Sequence, residues 1–236
     1  MALKKRSIET AQKGIHFEKI GENFEKLFKE HLGFELTGAQ KRVIKEILSD
    51  MRSNKPMNRL LQGDVGSGKT IVAVFCFLVA AENGYQSAFM CPTEILAEQH
   101  FKTLNSYFEK LGLYAVLLTG GQKKKQRDEV LEEIRTGKAQ VIVGTHALIQ
   151  NAVEFRSLGF TVIDEQHKFG VMQRAKLKAK GNNPDVLVMT ATPIPRTLSL
   201  TVYGDLDVSV IDELPKNRKD IKTALRGETD RIKVYK

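Results

Sequence analysis

The chain has 236 residues, 42% of them hydrophobic, and a net charge of +9 at pH 7. These values suit one large globular domain with an ordinary core, and the positive charge suggests a polyanionic partner without identifying it. Cys76 and Cys91 lie in apolar stretches without metal-ligand spacing, so we expect two buried, reduced thiols and no zinc site. The basic first residues are not followed by an apolar stretch, which argues against a signal peptide. The longest apolar run, Ile71 to Ala81, is too short to cross a bilayer, so we expect no membrane partner.

Residues 1–33 are highly charged and carry apolar residues at helical spacing. These residues are Phe17, Ile20, Phe24, Leu27 and Phe28. The spacing predicts one or two amphipathic helices that lead into the core.

From Met57 onward, short β-type runs alternate with helical patterns. The predicted strands are Asn58–Gln62, Ser87–Cys91, Ala115–Leu118, Val141–Gly144, Thr161–Asp164, Val186–Thr190 and Val208–Ile211. The predicted helices are Lys69–Glu82, Thr93–Leu111, Lys123–Thr136, Ala147–Asn151, Val171–Ala179 and Pro195–Tyr203. Such alternation indicates an α/β fold with a mostly parallel sheet and helices on both faces. A polar linker at 214–219 and a further possible strand at 221–225 follow.

A phosphate-binding pattern connects the first strand to the first helix of this alternation. Residues 63–70 read Gly-Asp-Val-Gly-Ser-Gly-Lys-Thr, which is G-x-x-x-x-G-K-T. Glycines let backbone N–H groups surround a polyphosphate, Lys69 places a charge at the β and γ phosphates, and the Thr70 hydroxyl can bind Mg²⁺. The helix that starts near Lys69 also favours an anion at its N-terminus. The pattern predicts binding of a nucleoside triphosphate.

Two acids follow the apolar run Thr161–Ile163. In a parallel sheet, Asp164 and Glu165 would project from the carboxyl edge, where ligands bind. Asp164 can hold Mg²⁺ through water, and Glu165 can orient and deprotonate an attacking water.

Three short motifs resemble those of superfamily-two helicases. Asp164-Glu165-Gln166-His167 resembles motif II in its D-E-x-H form, Thr190-Ala191-Thr192-Pro193 resembles motif III, and Leu36-Thr37-Gly38-Ala39-Gln40 resembles the Q motif. Within that group, the chain is most similar to RecG-type branched-DNA helicases. The similarity rests on residues 61–70, 92–100, 144–149, 164–171, 190–198 and 204–215. The transcription-repair coupling factor resembles much of the same stretch, but Gln166 and residues 211–215 favour RecG.

The resemblance implies a three-layer, RecA-like P-loop NTPase domain that uses ATP and Mg²⁺. It implies branched DNA, such as forks and Holliday junctions, as the partner of the full-length protein, which would act as a monomer in the bacterial cytoplasm at the nucleoid. The implied ATP-binding positions are Phe34, Gln40, Gly63, Asp64, Val65, Gly66, Ser67, Gly68, Lys69 and Thr70. The implied catalytic positions are Lys69, Asp164, Glu165 and His167, with Thr70 and Asp164 at the metal. The implied DNA contacts are Thr93, Glu94, Thr119, Gly120, Thr145 and His146. The positions implied to couple the two sites are Gln166, His167, Thr190, Ala191 and Thr192.

Several of these residues also have a purely structural interpretation. Thr37 and Gln40 fit a capping box, and Thr93 and Thr145 fit plain helix N-caps. His167 could be an ordinary packed histidine. For His100 and His146 the sequence suggests packing near the DNA-facing edge.

Two basic clusters could be solvated helix faces or phosphate contacts. One holds Lys123, Lys124, Lys125 and Arg127, and the other holds Lys168, Arg174, Lys176, Lys178 and Lys180. The first contains no aromatic residue and the second contains Phe169 alone, so we expect no base stacking there and sequence-independent binding that weakens with salt.

We divide the chain into a helical connector (1–33), a first RecA-like domain (34–215), and a linker with the start of a second such domain (216–236). The resemblance places ATP between two motor domains, the second of which supplies arginines to the γ-phosphate. We therefore expect an excised first motor domain that binds ATP·Mg weakly, hydrolyses it very slowly and does not unwind DNA unaided.

Two other functions stay open at this point. One is a translocase of the coupling-factor type, and the other is a nucleotide-dependent switch without motor activity. A GTPase would need the guanine-reading pattern N-K-x-D, whereas residues 217–220 read Asn-Arg-Lys-Asp.

Overall fold

A computed structural model describes residues 13–164, 171–192 and 206–215. Within these ranges, seven strands form one sheet in the order β3-β4-β2-β5-β6-β1-β7, and every pairing is parallel. The strands are β1 (Asn58–Gly63), β2 (Gln86–Met90), β3 (Ala115–Leu118), β4 (Val141–Gly144), β5 (Leu158–Asp164), β6 (Asp185–Thr190) and β7 (Asp207–Ile211). The parallel sheet confirms the α/β prediction.

The α-helices alternate with these strands. They are α1 (Glu22–Lys26), α2 (Gly38–Met51), α3 (Lys69–Glu82), α4 (Glu94–Phe108), α5 (Lys124–Thr136) and α6 (Val171–Lys178). A π-helical turn, Leu27–His31, extends α1, and 3₁₀ turns occupy Glu109–Leu111 and His146–Ile149.

Most predicted boundaries agree with these elements to within one residue, and three differ. Strand β5 begins at Leu158, three residues before its predicted start, and the segment predicted as a helix from Ala147 is a single 3₁₀ turn. The end of the predicted Thr93–Leu111 helix is also 3₁₀. The predicted helix at 195–203 and strand at 221–225 lie outside the described residues, as does the segment 216–236.

Helices cover both faces of the sheet and divide its side chains into two apolar layers. One layer joins α2, α3 and α4 to strand residues such as Leu61, Phe89 and Val162. The other joins α5 and α6 to the alternate strand residues, such as Leu60 and Ile163. This alternation follows from the two-residue repeat of a β-strand. Among the helices that the structure describes, none combines the length and the apolar character needed to cross a membrane.

The apolar run that predicted a buried helix forms α3. Its residues from Ile71 to Ala80 are all buried, and Phe77 contacts the rings of Phe89, Phe108 and Phe160 at centroid distances of 5.8–6.1 Å. Cys76 lies in this helix, and both cysteines are buried free thiols, as predicted.

The N-terminal segment agrees with its prediction in part, because helical residues occupy Glu22–His31. Residues 13–21 are not helical, although Phe17 is fully buried, and α1 begins only at Glu22. The Glu82 carboxylate at the end of α3 accepts the backbone N–H groups of Gly21, Asn23 and Phe24 at 2.6, 2.9 and 3.3 Å. A carboxylate satisfies the unpaired N–H groups of a helix start and so determines where α1 begins.

Candidate functional site

The phosphate loop joins β1 to α3 through backbone conformations that favour glycine. Gly66 and Gly68 have φ angles of 77° and 90°, in the left-handed region. At Gly63, an added Cβ would lie 2.5 Å from Ser67 Oγ, which leaves no space for a side chain. The Lys69 ammonium donates to the carbonyl oxygens of Gly63 at 2.7 Å and Asp64 at 3.0 Å. The loop therefore brings a cation and the start of a long helix to one point, an arrangement suited to an anion.

Gln40 supports this loop through hydrogen bonds. Its side-chain Oε1 accepts the Thr37 N–H at 2.9 Å, and its own N–H donates to Thr37 Oγ1 at 3.2 Å, which is the predicted capping box. Its Nε2 also donates to the Ser67 carbonyl at 2.8 Å. Any Cβ at Gly68 would collide with this Nε2. Capping is thus not the only role of Gln40, because the same amide supports the phosphate loop.

A cleft of about 1030 Å³ opens beside the loop. Its lining includes Phe34, Thr37, Gln40, Gly66, Gly68, Thr70, Tyr107 and Glu213. Phe34 is partly exposed and so is available to a planar ligand. Burial raises the pKa of the Tyr107 phenol, which keeps this wall of the cleft uncharged. The volume and the mixture of apolar and polar groups suit a nucleotide.

The chain after β7 closes one side of the cleft. Asp212 accepts Arg42 Nη2 at 2.8 Å, and Glu213 accepts the Ala39 N–H in the first turn of α2 at 3.1 Å. The hydrogen bond from Arg42 holds the pKa of Asp212 below its usual range. These contacts hold Asp212 and Glu213 against the helix that carries Gln40.

Asp164 lies at the same edge of the sheet as the phosphate loop. It ends β5, opposite Met189 in β6, and Met189 in turn lies opposite Leu61 in β1. Two strand spacings therefore separate Asp164 from β1, about 10 Å, which leaves room for a triphosphate between the acid and the loop. Glu165, Gln166 and His167 lie outside the described residues.

Asp164 is nearly buried and contacts His100. Nε2 of His100 lies 3.2 Å from Asp164 Oδ2, and the histidine ring packs on Phe89 at a centroid distance of 4.9 Å. Cys91 is also near, and its burial together with the charge of Asp164 raises the pKa of this thiol, which therefore stays protonated.

The threonines of the predicted coupling segment follow β6, between the loop and Asp164. Thr190 is buried opposite Gln62 of β1, and its Oγ1 lies 2.8 Å from Thr192 Oγ1. The Thr192 N–H also donates to Thr190 Oγ1 at 3.2 Å. Ala191, between them, is half-buried.

The predicted DNA contacts occupy the other half of the edge, after β2, β3 and β4. Thr93 caps α4 by accepting the Leu96 N–H at 3.3 Å, as the structural interpretation predicted. Thr145 does not cap through its side chain, and its buried hydroxyl has no partner within the described ranges. His146 is exposed next to it, and Thr119 is buried.

Glu94 connects two of these loops. Its Oε1 accepts the backbone N–H groups of Gly120 at 2.8 Å and Gly121 at 3.2 Å. The carboxylate therefore faces peptide groups that could otherwise serve a phosphate.

The basic clusters contain both tethered and exposed cations. Arg127 donates to the Thr119 carbonyl and to Gln150, and Lys180 donates to the carbonyls of Gln150 and Val153. The side chains of Lys123 to Lys125 and of Lys176 are exposed.

Comparison with known proteins identifies the family. The DEAD/DEAH box helicase family matches residues 37–201, which is well over half of the chain. The chain belongs to this family. Its members use a nucleotide, which agrees with the phosphate loop.

Bacterial relatives resemble this chain over most of its length. It is 56% identical over 224 residues to the ATP-dependent DNA helicase RecG of Synechocystis, covering 95% of this chain and 27% of the relative. It is 54% identical to the RecG of Aquifex aeolicus, covering 92% of this chain and 28% of the relative. The chain thus spans less than a third of the length of these relatives.

Solved structures agree with the fold of this chain. A structure of RecG bound to a three-way DNA junction superimposes with a TM-score of 0.84 at 45% identity, covering 98% of this chain and 31% of that one. A DEAD box protein from Methanococcus jannaschii superimposes with a TM-score of 0.63 at 19% identity, covering 85% of this chain and 57% of that one. The second likeness concerns the RecA-like fold alone.

Three contacts at the site were not predicted from the sequence. His100 contacts Asp164, Glu94 holds the Gly120–Gly121 backbone, and Glu213 caps α2. A signal for His100 existed, because it lies three residues after Ala97 and four before Leu104, both buried, on the inner face of α4. The other two contacts join residues that are 26 and 174 positions apart, a pairing that no local pattern encodes.

Proposed function

We propose that this chain is the ATP-binding motor domain of a RecG-like DNA helicase. In the full-length protein, ATP hydrolysis would drive translocation on duplex DNA and the remodelling of stalled forks and Holliday junctions in recombination and repair. The observation that carries the proposal is the division of one sheet edge, with the phosphate loop and Asp164 on one half and the three predicted DNA-contacting loops on the other. The sequence identity to RecG proteins supports this proposal. We also propose that the protein acts in the bacterial cytoplasm at the nucleoid, which the bacterial origin of those relatives supports.

The phosphate loop and Asp164 take the ATP-hydrolysis roles in this proposal. Backbone N–H groups of residues 63–70 hold the phosphates, and Lys69 exchanges its contacts with the Gly63 and Asp64 carbonyls for phosphate oxygens. The Thr70 hydroxyl and the Asp164 carboxylate fit Mg²⁺, because both offer hard oxygen ligands at the loop edge. When bound, Mg²⁺ neutralises charge on the β and γ phosphates. Glu165 orients and deprotonates the attacking water.

In this proposal, Phe34 and Gln40 bind the adenine base of ATP in the cleft. Phe34 offers a partly exposed ring for stacking. The Gln40 amide lies directly behind the loop, so its bond to Ser67 ties the base end of the site to the phosphate end.

Loops at the second half of the edge grip the DNA backbone. The residues in this role are Thr93, Thr119, Gly120, Thr145 and His146, and Glu94 positions the Gly120 and Gly121 backbone for it. Peptide N–H groups and hydroxyls contact phosphates without reading bases, so binding is independent of sequence and falls steeply with salt.

The segment after β6 couples the two halves. Thr190, Ala191 and Thr192 lie between the phosphate loop and Asp164. In this proposal, Gln166 and His167 share the coupling role. Closure of a second motor domain over ATP, followed by reopening after hydrolysis, would alternate the grip of the DNA edge and move the duplex stepwise.

Nucleotide binding tests the first part of the proposal. We expect a fluorescent ATP analogue to bind the chain in the presence of Mg²⁺, with excess ATP competing better than GTP, and Lys69→Ala to remove binding. Equal competition by ATP and GTP would instead favour a general nucleotide switch.

ATPase stimulation tests the second part. For the full-length protein, we expect forked DNA to stimulate ATP hydrolysis more than linear duplex of equal length. Stimulation that required a stalled RNA polymerase would favour a translocase of the coupling-factor type.

A further inference from the structure

The contact between His100 and Asp164 is built into the core of the domain. His100 lies almost two turns into α4, and its ring packs on Phe89 in β2, the strand next to β5. Only 19% of the His100 side chain and 10% of the Asp164 side chain are exposed. Packing on one side and a hydrogen bond on the other therefore hold the imidazole in place.

This bond restricts the carboxylate. Nε2 of His100 reaches Oδ2 of Asp164 at 3.2 Å, which limits rotation of the carboxylate about its Cβ–Cγ bond. A carboxylate that binds a metal must present its oxygen in a defined direction, and hydrogen bonds from neighbouring groups supply that direction. Among the side-chain contacts described for Asp164, His100 is the partner that can do so.

We infer that His100 is a positioning residue that orients Asp164 for binding of the Mg²⁺–nucleotide complex. The inference rests on the proposed function, because it assigns a role within that nucleotide site. It requires that His100 act through Asp164 without touching the nucleotide itself. Loss of the hydrogen bond should weaken the metal-dependent part of nucleotide binding and leave the metal-independent part unchanged.

Two substitutions separate the hydrogen bond from the packing. His100→Phe keeps a ring against Phe89 and removes the donor, whereas His100→Gln places an amide nitrogen close to the position of Nε2. His16→Phe is the matched control, because His16 is exposed in the N-terminal segment. Thermal unfolding of all three variants shows whether each is folded.

The measurement is the dissociation constant of a fluorescent ADP, determined in EDTA and across a Mg²⁺ titration. We expect His100→Phe to require about 10-fold more Mg²⁺ for half-maximal enhancement of binding, the lower end of the range for lost partners of metal ligands. His100→Gln should stay within about threefold of the wild type, and dissociation constants in EDTA should be equal for all variants.

Three results would overturn the inference. One is an unchanged Mg²⁺ requirement in a folded His100→Phe variant. Another is an equal loss in His100→Phe and His100→Gln, which would assign the effect to packing. The third is a loss of binding in EDTA as large as that in Mg²⁺. A wild-type chain that bound no nucleotide at all would refute the proposed function itself, whereas normal Mg²⁺-dependent binding in both variants would refute only the role of His100.

Discussion

Asp185→Asn should stabilise the chain above neutral pH. Asp185 is the first residue of β6 and is fully buried at the edge of the sheet opposite the nucleotide site. Its Oδ1 accepts the Met57 N–H at 2.7 Å, while its Oδ2 has no partner among the described residues. Burial raises the pKa of this carboxyl from 3.8 to about 8, against the lowering effect of the Met57 bond. At pH 7 the folded chain therefore keeps a proton that the unfolded chain releases.

The sign and size of the effect follow from proton linkage. The folded state holds more protons than the unfolded state between pH 3.8 and about 8, so stability is highest below this window and falls as the pH rises through it. Each pH unit is worth at most about 1.4 kcal/mol, which gives an upper limit of about 4 kcal/mol at pH 7. Asparagine keeps the acceptor for Met57 and cannot ionise, but its N–H groups need partners, a penalty of about 1–3 kcal/mol. We expect a net gain of about 2 kcal/mol at pH 7, which is the limit of about 4 kcal/mol less that penalty.

Urea unfolding at pH 5, 6, 7 and 8 measures this gain. The difference in unfolding free energy between Asp185→Asn and wild type should grow with pH, because all other titrating groups are common to both chains. Asp207→Asn is the matched control, since Asp207 begins β7 but is exposed. A difference that stayed constant from pH 5 to pH 8 would refute the reasoning.

Three further predictions follow from contacts near the site and the N-terminus. Gly68→Ala should abolish binding of fluorescent ADP, because its φ is 90° and its Cβ would displace the Gln40 amide; retention of wild-type affinity would contradict this. Glu82→Ala should lower the free energy of unfolding by about 1–2 kcal/mol, since it leaves three N–H groups of the α1 start without their acceptor. The same variant should also speed proteolysis before residue 30, and unchanged urea and proteolysis profiles would show that the cap is dispensable. Steady-state ATP hydrolysis by the 236-residue chain alone should be very slow with or without forked DNA, because the resemblance assigns the γ-phosphate arginines to a second motor domain. Robust DNA-stimulated turnover would refute that expectation.

The sheet and the phosphate loop were predictable because their signals are local. Each strand is a short apolar run bounded by turn residues, and β3 and β4 were predicted with the bounds they have in the structure. The placement of Asp164 near the loop also followed from sequence, since parallel strands end at one edge.

The structural features that were not predicted from the sequence depend on long-range contacts. The helical spacing of Phe17 and Ile20 predicted a helix there, yet α1 begins only at Glu22. At that point Glu82 accepts N–H groups from Gly21 and Asn23, which lie 61 and 59 positions before it. The run after Thr145 was predicted as a helix, but it ends after one 3₁₀ turn. His100 was expected to pack, and its bond to Asp164 depends on the order of strands β2 and β5.

The contact between Gln40 and Gly68 has a consequence for evolution. The amide of one residue fills the volume that a side chain on the other would need, and it also supports the carbonyl of Ser67. A substitution at either position alone would therefore be selected against. Replacement of both residues would have to pass through an intermediate sequence that folds poorly or binds nucleotide poorly. Homologous chains should accordingly show these two positions fixed as a pair, even where the surrounding helix has diverged.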